Sequence, residues 1–78
     1  MKYVVYGSPR CAYCNSAKDL LDHKGLEYEY RDISQNEEWK EFLMSSGFRT
    51  VPQIFVEGGA EKPYIGGYDS LCAHLQSS

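Results

Sequence analysis

Residues 2–14 read Lys2-Tyr3-Val4-Val5-Tyr6-Gly7-Ser8-Pro9-Arg10-Cys11-Ala12-Tyr13-Cys14. The β-branched and aromatic run Lys2–Tyr6, stopped by Gly7, predicts a buried strand. Ser8-Pro9-Arg10 is a turn, and from about Cys11 the pattern becomes helical, with Ala17, Leu20 and Leu21 on one face. The cysteine pair therefore opens a helix directly behind a strand. Residues i and i+3 of a helix face the same side, at a separation that a disulfide can span. The helix start also presents unpaired N–H groups and a partial positive charge, which favour a thiolate over a thiol. Cys11, nearer the helix end, is the expected nucleophile. Cys14, one turn further in, is expected to attack the mixed disulfide that Cys11 forms.

Outward from this stretch the chain alternates strands and helices. Gly25 ends the first helix, and Leu26 to Arg31 predicts a second strand. Ser34 and Glu37 read as a capping box, starting a helix whose apolar face is Trp39, Phe42 and Leu43 and whose end is Gly47. Gln53 to Val56 predicts a third strand and Tyr64-Ile65 a short fourth. Turn residues between them suggest an antiparallel hairpin, with Pro63 suited to an edge. Gly66-Gly67 lead into a last helix carrying Leu71 and Leu75, and Gln76-Ser77-Ser78 reads as a frayed end. The order β-α-β-α-β-β-α makes an α/β fold with one central sheet, the first βαβ unit being parallel.

Seventy-eight residues make a single domain, 1–78. The net charge of −3 and the absence of a basic stripe argue against nucleic acid as a partner. The apolar N-terminal stretch is too short for a signal peptide, and no run reaches membrane-spanning length, so the expectation is a cytoplasmic chain that acts away from membranes. Three cysteines make a poor disulfide framework and point to redox chemistry or metal. A zinc site built from Cys11, Cys14, Cys72, His23 and His74 competes with the redox reading, but a second close-spaced ligand pair is absent. Two inert buried cysteines are the other alternative. Elsewhere the simplest readings are structural: Cys72 packs, His23 and His74 lie near helix ends, and Glu37, Glu38, Lys40 and Glu41 form a solvated face.

Two further motifs complete a pattern. Thr50-Val51-Pro52-Gln53-Ile54-Phe55 resembles the T-V-P-x-x-F segment of glutaredoxins, and Ile65-Gly66-Gly67-Tyr68 resembles their I-G-G-x turn. With Cys11-Ala12-Tyr13-Cys14 these stand in the family's order across nearly the whole chain. The resemblance implies a thioredoxin-like fold: a four-stranded mixed sheet of order 2-1-3-4, three flanking helices and a cis Pro52. It implies a thiol-disulfide oxidoreductase acting through Cys11 and Cys14, with glutathione as co-substrate and no metal. Its substrates would be protein disulfides, ribonucleotide reductase among the candidates, and glutathione mixed disulfides. Glutathione reductase would recycle it indirectly, and the chain would act as a monomer.

Carried over residue by residue, Thr50, Val51 and Pro52 would hold the cysteinyl part of glutathione. Gly66 and Gly67 would allow close backbone approach, and the N–H groups of Tyr68 and Asp69 would receive the γ-glutamyl carboxylate. Tyr13 would flank the thiol, and Arg49 would add positive charge. Four departures from the family stand out. Ala12 replaces the usual proline. Ser70 occupies the usual aspartate position, with Asp69 one place earlier. Ser8 replaces a basic residue, leaving Arg10 as the substitute, and the hairpin turn over 57–62 is long. Two other functions stay open. Ser46-Gly47-Phe48-Arg49 resembles redoxins recycled by thioredoxin reductase, and an iron–sulfur carrier would hold a cluster with two thiols and two glutathiones.

Overall fold

The computed structural model describes residues 2–48, 50–57 and 64–76. The expectations for Arg49, for the hairpin turn beyond Glu57, for Pro63 and for Ser77-Ser78 lie outside these residues. Within them the order is β1 (Lys2–Gly7), α1 (Ala12–His23), β2 (Tyr28–Asp32), α2 (Glu37–Ser45), β3 (Gln53–Glu57), β4 (Tyr64–Gly66) and α3 (Tyr68–Gln76). The strands form one sheet in the order β2-β1-β3-β4, the order that the family resemblance implies. β1 runs parallel to β2 and antiparallel to β3, and β3 and β4 form an antiparallel pair.

A strand with helices on both sides must be apolar on both faces, and β1 is. Tyr3 and Val5 face a cluster with Ala17, Leu21, Ile54, Val56 and Leu71, so α1 and α3 cover one side of the sheet. Val4 and Tyr6 face the other side, where Leu43 of α2 packs with the partly buried Ile33, Trp39 and Phe48. The expected α2 face holds for Leu43 and Trp39 and fails for Phe42. Phe42 touches the Tyr6 ring at 5.4 Å and the Phe55 ring at 5.9 Å, yet stays 43% exposed.

Both predicted glycine stops adopt left-handed backbone, Gly25 at φ 69° and Gly47 at φ 88°, which lets the chain leave each helix without strain. β2 starts two residues later than expected, at Tyr28. The capping box is not formed. Asp32 Oδ1 accepts from both the backbone N–H of Ser34, at 2.9 Å, and its hydroxyl, at 2.6 Å. That turn holds Ser34 away from the helix, which starts at the next available cap: Asn36 Oδ1 accepts from the Glu38 N–H at 2.9 Å and the Trp39 N–H at 3.4 Å. Asn36→Ala should therefore lower stability by about 1 kcal/mol, and Ser34→Ala by about half that or less, in urea denaturation. A larger loss at Ser34 would restore the capping box.

Candidate redox site

Parallel pairing of β1 and β2 ends at Gly7 and Asp32, and the chain then turns through Ser8 into α1. Cys11 is the N-cap of that helix, with extended backbone at φ −96° and ψ 111°. Its sulfur takes the place of a capping oxygen: Sγ accepts from the Cys14 N–H at 3.1 Å. One of the unpaired donors at the helix start is thus aimed at the sulfur, and the helix dipole adds to the same field. Its thiol also donates to the Val51 carbonyl at 3.5 Å, which ties the sulfur to the segment before β3.

Cys14 sits one turn further in and is fully buried. Burial above all, and then the adjacent Cys11, push its thiol up to about 12 from an ordinary 9.0; hydrogen bonds from the Ser8 backbone and the Tyr30 hydroxyl pull the other way. Tyr30 is likewise raised to about 12, by burial and then by the neighbouring Cys14. Gly7 makes room for this arrangement, because a Cβ there would lie 2.7 Å from both Cys14 Sγ and the Tyr30 hydroxyl. Both cysteines are free thiols.

The antiparallel register sets Gln53 opposite Tyr6, so the residues just before β3 arrive beside the start of α1. The Val51–Pro52 peptide bond is cis. Gln53, buried in an otherwise apolar strand, braces this segment: its Nε2 donates to the Thr50 carbonyl at 2.9 Å and the Thr50 hydroxyl at 3.2 Å. The Tyr64 hydroxyl donates to Gln53 Oε1 at 2.7 Å. Reading the sequence missed Gln53 and Tyr64 as site residues; a lone amide in the run Gln53-Ile54-Phe55-Val56 was the available signal.

Beside this segment runs an open groove of about 470 Å³. It gathers Tyr13, Thr50, Val51, Pro52, Gly67, Tyr68 and Asp69 from three separate stretches of sequence. Tyr13 is 64% exposed, with its ring 5.9 Å from that of Tyr68. The Tyr68 phenol is raised, chiefly through its hydrogen bond with Cys72. Gly67 presents an open flank, since a Cβ there would meet only the Pro52 carbonyl, at 3.6 Å. Gly66 is different: its φ is 128°, and a Cβ would strike the Ser70 hydroxyl at 2.7 Å. Asp69 is the second residue of α3, inside the helix rather than at its capping position, and is exposed. Arg10 is exposed beside the helix start and does not line the groove. Among the described residues no three His, Cys, Asp or Glu side chains converge as metal ligands, and no helix is long and apolar enough to cross a membrane.

The buried thiol sets an alkaline limit on stability. Folded Cys14 keeps its proton to about 12, whereas an unfolded thiol loses it near 9.0. Between these values the unfolded state binds fewer protons, so stability falls as pH rises, by up to about 1.4 kcal/mol per unit. Tyr30 adds a similar loss only above its ordinary 10.0. Urea midpoints measured from pH 7 to 11 should therefore fall more steeply between pH 9 and 10 in the parent chain than in Cys14→Ser. Equal slopes would contradict the assignment.

The sequence model of the Glutaredoxin family matches residues 3–60. Glutaredoxin 1 of Rickettsia conorii is 41% identical over 71 residues, covering 87% of this chain and 66% of the relative, so the chain spans about two thirds of that protein's length. Glutaredoxin 3 of Escherichia coli K12 is 39% identical over 70 residues, covering 88% of this chain and 80% of the relative. Among solved structures, the buckwheat glutaredoxin–glutathione complex superposes with a TM-score of 0.77 at 30% identity, covering 96% of this chain and 68% of that one. A cysteine that caps its own helix, a cis Val51–Pro52 beside it and these likenesses agree: the chain belongs to the glutaredoxin family.

Proposed function

We propose that this chain is a glutathione-dependent dithiol oxidoreductase that reduces protein disulfides and glutathione mixed disulfides. The observation that carries the reading is the asymmetry of the pair. Cys11 is half-buried with its Sγ under a helix N–H, while Cys14 is fully buried one turn further in as a neutral thiol. A nucleophile must be reachable and a resolving thiol must be withheld until the nucleophile is engaged.

In the first step the Cys11 thiolate attacks one sulfur of the substrate disulfide. The substrate S–S bond breaks, its second sulfur leaves as a thiolate that takes a proton from solvent, and Cys11 becomes a mixed disulfide. Cys14 then gives up its proton and attacks Cys11 Sγ, forming the Cys11–Cys14 disulfide and expelling the remaining substrate thiolate. Converting Cys11 from a free thiol to a disulfide sulfur removes one of the influences that hold the Cys14 proton on. Two glutathione thiolates reverse the oxidation: the first attacks Cys11 and frees Cys14, and the second attacks the bound glutathione sulfur and leaves as glutathione disulfide. Electrons thus pass from two glutathiones to one substrate disulfide.

The groove beside Cys11 supports glutathione as the small thiol. The Val51 main chain joins none of the strand pairings and is available to pair with the cysteinyl backbone of a ligand. Gly67 leaves that side open, and the first turn of α3 offers free N–H groups for the γ-glutamyl carboxylate. Asp69 offers a carboxylate to the γ-glutamyl ammonium. Arg10 and Arg49 are proposed as the sources of positive charge. The reading extends to a monomer acting in a reducing cytoplasm, with glutathione reductase and NADPH as the ultimate donor and ribonucleotide reductase as one candidate substrate.

A coupled NADPH assay tests the proposal. With glutathione and glutathione reductase the chain should turn over, and with thioredoxin reductase alone it should not; the opposite result would place it with the redoxins recycled by thioredoxin reductase. Cys11→Ser should be inactive on every substrate. Cys14→Ser should still remove glutathione from mixed disulfides, which needs one thiol, and lose the reduction of protein disulfides that need two. Activity in Cys11→Ser would refute the assignment of roles.

A further inference from the structure

A second opening lies on the other side of Val51. It is about 520 Å³, within the range of about 300–1,000 Å³ typical of ligand clefts. Its walls are mainly apolar, with Ile33, Leu43, Met44, Phe48 and Val51 supplying the surface. Leu43 is buried as its floor, whereas Met44 is 66% exposed at its edge. This opening and the groove beside Cys11 share Thr50 and Val51, so these two residues form a ridge with an opening on each flank. The Cys11 sulfur touches that ridge at the Val51 carbonyl. A disulfide substrate whose cysteine backbone pairs with Val51 would lay the residues before and after that cysteine over the two openings.

Glutathione leaves the apolar walls of the second opening uncovered. If its γ-glutamyl end lies at Gly67–Asp69, as proposed above, the residue after its cysteine crosses the ridge to the Met44 side. In glutathione that residue is glycine, which has no side chain to cover five apolar residues. A polypeptide substrate can carry one there. We infer that this apolar opening is a specificity subsite for protein disulfides, taking a bulky apolar side chain on the residue immediately after the substrate cysteine. The inference rests on the glutathione orientation just proposed and names the substrate class of the same site. Lys40 lines the same opening and makes no ion pair among the described residues, so it favours acidic over basic residues next to the apolar one. The subsite separates the two partners of the reaction. A protein disulfide with an apolar follower gains contacts that glutathione, which must leave as glutathione disulfide in every cycle, does not make.

The test is a single-turnover reaction of the reduced chain with symmetric peptide disulfides, read as the release of peptide thiol. The peptides are acetyl-Ala-Cys-Leu-Glu-amide, its Gly counterpart acetyl-Ala-Cys-Gly-Glu-amide, and acetyl-Leu-Cys-Gly-Glu-amide. The peptide with leucine after the cysteine should react about tenfold faster or more than the glycine peptide, the discrimination an apolar pocket supplies. Met44→Asp should bring the two close to equal, and Met44→Gln, a milder change at an exposed position, should reduce the preference in the same direction. Equal rates in the parent chain, or a preference that survives both substitutions, overturns the inference. A Met44-dependent preference for leucine before the cysteine also overturns it, and traces the failure to the assumed glutathione orientation. Loss of glutathione turnover with the Leu-after-Cys preference intact would leave the subsite standing and refute only the glutathione reading. Sedimentation showing a dimer that Met44→Asp dissociates would assign the opening to a second copy and overturn the proposal.

Discussion

The N–H group of Cys14 points at the sulfur of Cys11, and most of what surrounds the pair serves to keep it there. A helix begins with donors that its own carbonyls cannot reach, and a side chain at the cap position normally satisfies one of them with oxygen. Here sulfur does so. The resulting field is present before any substrate arrives, because it comes from backbone already fixed by α1. For the arrangement to persist, Cys11 and no later residue must cap α1. Gly7 allows this by letting the strand pass within contact of Cys14, and Ala17 and Leu21 anchor the helix in the core beneath.

The sheet supplies the second half of the site. Because β3 is antiparallel to β1 and Gln53 is set opposite Tyr6, the chain before β3 meets the start of α1 at the end of the central strand. Thr50 and Val51 then stand beside the sulfur as a ridge, held by the Gln53 amide and by the Tyr64 hydroxyl from β4. Substrate recognition and thiol chemistry thus depend on one register. A slip of β3 by one residue would turn Gln53 to the opposite face and remove the brace. The two openings on either side of the ridge differ in character, one rimmed by α3 backbone and Asp69, the other walled by α2 side chains. Under the proposed function, that contrast suits a catalyst that meets both a small peptide thiol and larger protein disulfides.

The fold was largely legible because its signals were local and mutually consistent. Val4 and Val5 sit in a run with no polar interruption, the mark of a strand covered on both faces, and Gly25 and Gly47 stand where helices must stop. The helix start at Asn36 was not legible, since Ser34 and Asn36 are both good caps and only the Asp32 carboxylate decides between them. Phe42 fits the helical period and meets the Tyr6 and Phe55 rings, yet stays 43% exposed, which periodicity does not encode. At the site, the cysteines and the Thr50-Val51-Pro52 and Gly66-Gly67 motifs could be read directly. Gln53 and Gly7 could not, because their importance arises largely from contacts with Tyr64, Cys14 and Tyr30, each on another element.

The central claim is that one thiol of the pair is presented and the other withheld. Alkylation of the reduced native chain with iodoacetamide at pH 7, followed by peptide mapping in a mass spectrometer, reads this directly. The account predicts that Cys11 takes the label first and that Cys14 takes it at a comparable rate only after the chain is unfolded in denaturant. Labelling of native Cys14 as fast as Cys11, or ahead of it, would contradict the account.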